Sequence, residues 1–300
     1  MSAYSSLVLD SAPLLYWPLD DAPLGAPFVA ATDISGNARH GSQTGPSMET
    51  APGLVRGHDR GLLTSSTVVS NRRLRWDGAA LGAAAGGRTW ECWLRFTAST
   101  ATVSYPFIWC VDSSIATIAT ADCVGLYYAS ATRQFIFRLG HYTSRDLPGP
   151  ALTAHPTGLV HAICVQAANG VATVYINGVL YTTGLTPWSA YPTVDHISVG
   201  GAGSGTSHYI GQVGHMAVYP SAFNAEKVAA HYAEGLRRVS GSAAGYDKVF
   251  LTDADTLQVV GQATPGVGGA YRIDAPLTMR AYATAVREGH QPITCGPVEL

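Results

Sequence analysis

Glu91 is the acidic residue best placed for chemistry, because two tryptophans flank it in the stretch RTWECWLRFT. Glycoside hydrolysis needs two carboxyl groups, one acting as the acid and the other as the base or nucleophile. Trp90 and Trp93 would suit a sugar subsite beside such a pair. No second carboxylate lies close in sequence, since the remaining glutamates are Glu49, Glu226, Glu234, Glu288 and Glu299. A catalytic pair would need an aspartate from a distant loop, and that alternative stays open.

Other catalytic patterns are weaker. The run GAGSG at 201–205 lies between predicted strands with no helix after it, which argues against a nucleophile elbow or a phosphate-binding loop. The ten histidines are scattered, and His231 stands alone on the one predicted helix. We expect these histidines to be surface or hydrogen-bonded residues rather than metal ligands.

The stretch Tyr209–Gly235 predicts a strand, a turn and a short helix. Pro220 ends the apolar strand because proline cannot donate a hydrogen bond to a sheet. Asn224 is a suitable cap for the helix, and Gly235 is a suitable stop. A strand and helix followed by small residues indicate the end of a domain.

The rest of the chain predicts many short strands. Apolar and polar residues alternate through 88–97, which places Trp90 and Cys92 on one face and Glu91 on the other. Asn177-Gly178 separates two β-rich runs and predicts a tight hairpin. Further strands are predicted at 107–111, 123–129, 134–139, 159–166 and 196–199. Frequent turns and almost no helix predict an all-β sandwich.

Composition excludes several classes of protein. Of the 300 residues 47% are hydrophobic and 13% are charged. The net charge is −2, and the sequence contains no block of basic residues. These values predict a globular chain that does not bind nucleic acid. No stretch predicts a membrane span or a signal peptide. The five cysteines lack CxxC spacing and are predicted to be buried thiols made in a reducing cytosol.

Residues 4–235 resemble the laminin-G-like branch of the concanavalin A-like lectin/glucanase superfamily. The resemblance rests on YWPLDD, DISGNARHG, TWECWLRF, VATVYINGVLYTTG and the stretch that ends in YIGQVGHMAVYPSAFNAEKVAAHYAEG. It implies a jelly-roll sandwich in which the last strand returns beside the first. The enzymes of this superfamily carry Glu-x-Asp-x-x-Glu on a strand, and this sequence lacks that signature.

The resemblance also implies two kinds of binding site. Laminin-G-like domains often hold calcium through loop carboxylates, which makes Asp33 the candidate ligand, although Gly214-His215 stands where relatives carry two acidic residues. The alternative is that Asp33 only builds a turn. Sugar binding needs aromatic faces, and the predicted carbohydrate contacts are Trp109, Tyr127, Tyr128, Trp188 and Tyr191. Packing in a core or an interface is the alternative for these five.

The composition changes after residue 238. We predict a sandwich domain over 1–238, a small-residue linker over 239–245 and a second β-module over 246–300. The module resembles the small carboxypeptidase-regulatory or transthyretin-like sandwiches through VFLTDADTLQVVG, GAYRIDAP and YATAV.

These features together resemble a virion structural or adhesion protein of a tailed bacteriophage, placed in the tail, baseplate, fibre or capsid decoration. Such a protein would be made in the host cytoplasm, would display the lectin-like domain toward host surface polysaccharide, and would contact other virion proteins as a homo-oligomer. It would not be an enzyme and would need no cofactor other than the calcium considered above. A bacterial carbohydrate-binding protein and a glycan hydrolase remain the alternatives.

Overall fold

The computed structural model describes residues 2–45, 48–56, 58, 60–64, 73–78, 81, 86–96, 107–112, 123–139, 146–156, 158–185, 196–201, 209–254, 257–275 and 280–299. Within these ranges the chain is built mainly of antiparallel strands, which confirms the predicted all-β class. The helices in these ranges are α1 (Ala3–Asp10) and α2 (Ala225–Gly235).

The strands of the sandwich are β1 (Leu15–Trp17), β2 (Pro27–Phe28), β3 (Ala30–Ala31), β4 (Gly41–Thr44), β5 (Met48–Pro52), β6 (Arg60–Leu63), β7 (Arg73–Asp77), β8 (Arg88–Phe96), β9 (Phe107–Asp112), β10 (Cys123–Ala129), β11 (Gln134–Leu139), β12 (Asp146–Pro148), β13 (Gly158–Gln166), β14 (Val171–Ile176), β15 (Val179–Leu185), β16 (His196–Val199) and β17 (Gly211–Tyr219).

The described strands form two large sheets. Sheet I has the order β15-β14-β13-β8-β17-β6-β5-β2, with β1 also paired to β17. Sheet II has the order β12-β11-β10-β9-β16-β7-β4-β3. The main apolar core, which includes Trp17, Trp90, Trp109 and Phe137, lies between the sheets. The predicted sandwich is therefore confirmed.

Strand β8 shows how the sequence builds two cores. Trp90, Cys92 and Leu94 face the core between the sheets, as the alternation predicts. Trp93 faces the opposite side of sheet I, where a second apolar cluster lies beneath α1 and α2. Because both faces of β8 are covered, almost every one of its side chains is buried.

The stretch Tyr209–Gly235 closes the sandwich, as predicted. Strand β17 pairs with β8 and with β1, where Leu15 lies opposite Val218. Asn224 caps α2, since its side chain accepts a hydrogen bond from the backbone of Lys227 at 2.8 Å. Gly235 is the last helical residue, and a Cβ there would lie 2.3 Å from Cζ2 of Trp93. Glycine is therefore needed for close packing on the sheet, and the helix ends at Leu236, whose backbone is extended.

The predicted Asn-Gly hairpin joins β14 and β15. Asn177 has a φ of 52° and Gly178 a φ of 75°, the two positive values that a type I′ turn requires. The Asn177 side chain accepts a hydrogen bond from the His161 backbone at 2.8 Å. This bond ties the turn to the neighbouring strand β13.

Helix α1 corrects the expectation of a single short helix. Ser2 caps it by accepting the Ser5 N–H at 3.0 Å. Its buried side chains are Tyr4, Ser5 and Val8, of which two are polar. The apolar periodicity that normally reveals a helix is therefore weak in this stretch.

The predicted linker also differs from what is found. Residues 237–242 form a strand that pairs with a strand at 270–275, so the change of structure comes directly after α2. The strands of this part are β18 (Arg237–Ser242), β19 (Lys248–Asp253), β20 (Val259–Ala263), β21 (Ala270–Ala275), β22 (Arg280–Val286) and β23 (Ile293–Glu299).

The C-terminal part has its own small core. Sheet III has the order β20-β19-β22-β23, and β18 pairs with β21. Val249, Leu251, Ile273 and Ala281 are buried together. The stretches on which the module's resemblance rests contain strands: VFLTDADTLQVVG includes parts of β19 and β20, GAYRIDAP includes β21, and YATAV lies in β22.

Two sequence expectations concern the cysteines and the membrane. Cys92, Cys110 and Cys164 are buried free thiols, as predicted, but Cys295 is an exposed free thiol. No helix among the described residues has the length and hydrophobicity of a membrane span.

Candidate functional site

Glu91 lies at the centre of a polar cluster between sheet I and the two helices. Its Oε1 accepts hydrogen bonds from Tyr4 at 2.7 Å and from Nε2 of His161 at 2.8 Å. Its Oε2 contacts Nδ1 of His231 at 2.9 Å and the hydroxyl of Tyr219. The side chain is fully buried. The four partners come from α1, β13, α2 and β17, so this carboxylate joins both helices to the sheet.

The electrostatics of the cluster favour an ionised Glu91. Burial acts to raise the pKa of Glu91, but the neighbouring His231 and His161 outweigh it and hold that pKa well below its usual range. Burial lowers the pKa of His161, with Glu91 opposing the change. Burial likewise raises the pKa values of Tyr4 and Tyr219. Both phenols and a neutral His161 therefore act as hydrogen-bond donors to Glu91.

A second set of polar contacts lies beside the first under α1. Asp20 Oδ2 is 2.9 Å from His58 Nδ1, and His58 Nε2 is 2.6 Å from the Ser5 hydroxyl. Ser5 also contacts Tyr16, whose hydroxyl lies 2.8 Å from Nδ1 of His215. This second set runs from the half-exposed Asp20 to His215, which is 1% exposed.

The order Asp20–His58–Ser5 is that of a nucleophilic triad. A nucleophile must reach its substrate, and Ser5 is 1% exposed and shared with Tyr16. The histidine also contacts the Ser2 hydroxyl at 3.0 Å, and Ser2 is the helix cap. These serines dock the first turn of α1 on the sheet.

His215 stands at an irregular point of the sheet. The register of β17 against β8 shifts between Val213 and Met216, which marks a β-bulge. His215 has a φ of 123°, a value that non-glycine residues seldom adopt. The bulge turns its ring toward Tyr16, with ring centroids 5.5 Å apart, and toward His58 at 4.3 Å.

The outer face of sheet II carries a different set of polar groups, most of which have little exposure: Arg75 is 6% exposed and Ser198 2%. Strand register places one row of residues side by side across β12, β11, β10, β9, β16, β7 and β4: Asp146, Arg138, Gly125, Cys110, Ser198, Arg75 and Ser42. We call this set the transverse row. Its centre is made of small side chains and each half contains an arginine. The two arginines are four strand spacings apart, about 19 Å.

Both halves of the transverse row are hydrogen bonded. Arg138 binds Asp146 with two bonds of 2.7 and 2.9 Å, and its guanidinium lies 5.0 Å from the ring centroid of Tyr127. Arg75 Nη2 is 2.9 Å from Nδ1 of His196, which is 2.7 Å from Asp77. The side chain of Asp77 is 57% exposed, whereas those of Arg138 and Asp146 are 13% and 11% exposed. Planar donors and acceptors are thus held rigidly on one face.

The predicted sugar contacts are not brought together on a surface. Trp109 is buried and stacks on Trp90 with ring centroids 5.5 Å apart. Tyr128 is buried against Phe96 and Phe135. Both rings point into the core because they lie on the inward-facing side of their strands, so the structure corrects their assignment as sugar contacts.

The remaining predicted sugar contacts differ from these two. Tyr127 faces outward beside the transverse row, but it is only 3% exposed and its hydroxyl donates to Asp146 at 2.6 Å. Trp188 and Tyr191 lie outside the described residues. Tyr127 therefore supports the arginine and aspartate beside it, and the sugar-contact prediction for the other two stays a prediction.

Asp33 makes the contacts of a turn. Its Oδ1 accepts the backbone N–H groups of Tyr16 and Ser35, both at 3.0 Å, and Oδ2 accepts that of Arg39 at 2.9 Å. These bonds fix the DISGN loop in the way that the alternative prediction describes. Within the described ranges no group of three or more histidine, cysteine or acidic residues is arranged to hold a metal.

Most residues of the Glu91 cluster and of the transverse row were missed by the sequence analysis. The alternation of apolar and polar residues predicted the face of β8 on which Glu91 lies. The hydrogen-bond partners of Glu91 lie up to 140 residues away in sequence. The transverse row is visible only once strand register is known. Arg138 and Asp146 were never singled out, because neither belongs to a local motif.

Comparison with a protein-family model gives a match over residues 70–229, to the model described as the concanavalin A-like lectin/glucanases superfamily. These residues make up more than half of the chain. A search of curated proteins returns no significant match.

Comparison with solved structures gives the same fold at low identity. A tryptophan-to-alanine mutant of HCR D/C VPI 5995 is 10% identical with a TM-score of 0.55, and the match covers 95% of this chain and 74% of the other. The binding domain of Paraclostridial Mosquitocidal Protein 1 is 10% identical with a TM-score of 0.55, covering 93% and 65%.

Two further matches are to structures of enzymes. Domain 4 of AbnA, an extracellular arabinanase from Geobacillus stearothermophilus in complex with arabinotriose, is 14% identical with a TM-score of 0.50, covering 73% of this chain and 98% of that one. A Trypanosoma rangeli sialidase is 12% identical with a TM-score of 0.48, and the match spans 73% of this chain but only 32% of the sialidase.

Proposed function

Because the chain belongs to the concanavalin A-like lectin/glucanases superfamily, we propose that it binds glycans without hydrolysing them, through the outer face of sheet II. The observation that carries the proposal is the presence of two arginine–aspartate pairs on one face, Arg138–Asp146 in the transverse row and Arg75–Asp77 beside it. The Asp77 side chain is 57% exposed, and those of Arg138 and Asp146 are 13% and 11% exposed. Carbohydrate hydroxyls are recognised by planar side chains that are held in fixed positions, because a rigid partner loses little entropy on binding.

The chemistry of the row suits hydroxyl groups. Each arginine is already paired with an acidic residue, Arg138 with Asp146 and Arg75 with Asp77, so the local charge is nearly balanced. Carboxylate oxygens accept from sugar hydroxyls and guanidinium N–H groups donate to them. The complex of an arabinanase domain of this fold with arabinotriose supports glycan as the ligand class.

The environment of Glu91 supports a non-enzymatic role. Glu91 is fully buried, and its oxygens are occupied by Tyr4, Tyr219 and the two histidines. A glycosidic acid must reach the scissile bond. The hydrolase alternative would therefore have to use other carboxylates.

We further propose that the glycan-binding domain belongs to a virion of a tailed bacteriophage, where it contacts other virion proteins as a homo-oligomer. This proposal is supported by the small β-module after the sandwich, which resembles transthyretin-like modules and is small enough to need a neighbour for stability. Mass spectrometry of purified phage particles tests this proposal. A virion protein would be found in the particles, whereas a bacterial carbohydrate-binding protein would not.

A glycan array loaded with bacterial surface polysaccharides tests the binding site. Arg138→Gln removes the bidentate contact with Asp146 and is expected to reduce binding about tenfold, the effect of about 1.4 kcal/mol. Arg272→Gln, which also breaks an arginine–aspartate pair but lies on β21, is the matched control and should bind like the wild type. Wild-type binding that survives Arg138→Gln would refute the site, and an array without hits would refute glycan binding.

A further inference from the structure

We propose that α1 is an acid-released clasp on sheet I: it is docked at neutral pH, and it leaves the sheet when the imidazole of His215 beneath it takes up a proton. The proposal goes beyond glycan binding, which we place on the other sheet, so the two can fail separately. It rests on how α1 is held, on what surrounds His215 and on the strand irregularity that puts this histidine there.

Helix α1 is held by several hydrogen bonds in addition to apolar packing. Tyr4 donates to Glu91 at 2.7 Å, and the indole of Trp93 donates to the Tyr4 hydroxyl at 2.9 Å. Ser5 contacts His58 at 2.6 Å. Its apolar contacts come from the buried Val8 and the ring of Tyr4, and from Leu9, which is partly buried against the same cluster. The docking of α1 therefore depends on buried hydrogen bonds as well as on apolar area.

The site of His215 disfavours a cation. Its ring is enclosed by Tyr4 at 5.1 Å, Tyr16 at 5.5 Å and His58 at 4.3 Å between ring centroids. Its Nδ1 lies 2.8 Å from the Tyr16 hydroxyl, and its Nε2 has no hydrogen-bond partner among the described residues. A charged imidazolium needs acceptors at both nitrogens, and Nε2 has none there.

The ionisable groups that contact His215 or act on its charge come from several elements: Tyr4 from α1, Tyr16 from β1, His58 from a loop, Glu91 from β8 and His161 from β13. The carboxylate that acts to stabilise a charged His215 is Glu91, which already accepts four hydrogen bonds. Asp20 is instead bonded to His58.

The direction of the pH effect follows from these environments. Burial, reinforced by the neighbouring His58, lowers the pKa of His215 well below its usual range. Release of α1 removes Tyr4 and Ser5 from the site and returns the imidazole to water, where its ordinary pKa is about 6.5. The released state then binds more protons, so docking is fully stable above about pH 6.5 and weakens as the pH falls below it. Glu91, with its lowered pKa, adds to the loss only below about pH 4.5.

Hydrogen–deuterium exchange of the whole chain tests the clasp. Exchange is expressed as protection factors, which remove the intrinsic pH dependence of amide exchange. The protection factors of residues 3–10 are expected to fall about 30-fold between about pH 7.5 and about pH 5. This is the largest change that a single imidazole can cause when it is neutral in the docked state and has its ordinary pKa in the released state. Amides of β8 and β13 should stay protected. Unchanged protection of α1, or an equal loss throughout sheet I, would overturn the proposal.

Two further measurements assign the effect to His215. His215→Asn keeps a residue that tolerates positive φ and removes the titrating ring, so the pH dependence of α1 should disappear. His290→Asn, an exposed histidine in the C-terminal part, should leave it unchanged. Should the first variant not fold, the imidazole protons of wild-type His215 can be titrated by NMR. If His215 titrates with an ordinary pKa of about 6.5 while α1 stays docked, the proposal is also overturned.

Discussion

At the scale of single residues, Glu91 explains how the helices are fixed. A buried carboxylate is costly unless donors surround it, and four donors from four elements do so here. Alternation along β8 predicted the face on which Glu91 lies. Its partners could not be predicted, because Tyr4, His161, Tyr219 and His231 meet only after the chain has folded.

Replacement of this residue tests its structural role. Glu91→Gln keeps the size of the side chain but removes the charge facing two histidines, and we expect a loss of about 3 kcal/mol in the free energy of unfolding. Urea denaturation measures it. Glu288→Gln, at an exposed position, is the control and should change stability by less than about 0.5 kcal/mol. A Glu91→Gln chain as stable as the wild type would show that the carboxylate is not needed for docking.

At the scale of elements, the two helices differ in how visible they are in the sequence. Helix α2 has a cap at Asn224, a glycine end and apolar spacing, and it was predicted. Helix α1 buries Tyr4 and Ser5 through hydrogen bonds to distant residues, and sequence periodicity does not report such bonds. The Asn177-Gly178 hairpin was predictable because its φ values are a property of those two residues.

The end of α2 gives a prediction about packing. A methyl group at position 235 would meet Cζ2 of Trp93 at 2.3 Å, so Gly235→Ala should destabilise the chain by about 1–3 kcal/mol. Gly86→Ala is the matched control, since its Cβ would come no closer than 3.8 Å to other atoms, and it should be nearly neutral. Thermal unfolding of both variants measures the difference, and equal melting temperatures would contradict the close contact.

At the scale of the whole chain, the two sheets of the sandwich have different outer faces. The outer face of sheet I is covered by α1 and α2, whereas that of sheet II carries the transverse row. The sandwich and its closing strand were predictable from turns, alternation and order. The sugar contacts were not predictable, because neighbouring residues of a strand point to opposite faces and the sequence did not show which face is inward. Trp109 and Tyr128 point into the core. The predicted linker over 239–245 overlaps the strand β18 at 239–242, because small residues suggest a linker and their pairing with 270–275 is distant in sequence.

The most direct test of the central claim is an exchange footprint of the chain with a polysaccharide selected from the array. The account predicts added protection in the sheet II strands at 73–77, 107–112, 123–129, 134–139 and 196–199. It predicts no change in α1 and α2 or in residues 237–299. Protection confined to the helices or to the C-terminal part would contradict the claim that the outer face of sheet II binds glycan.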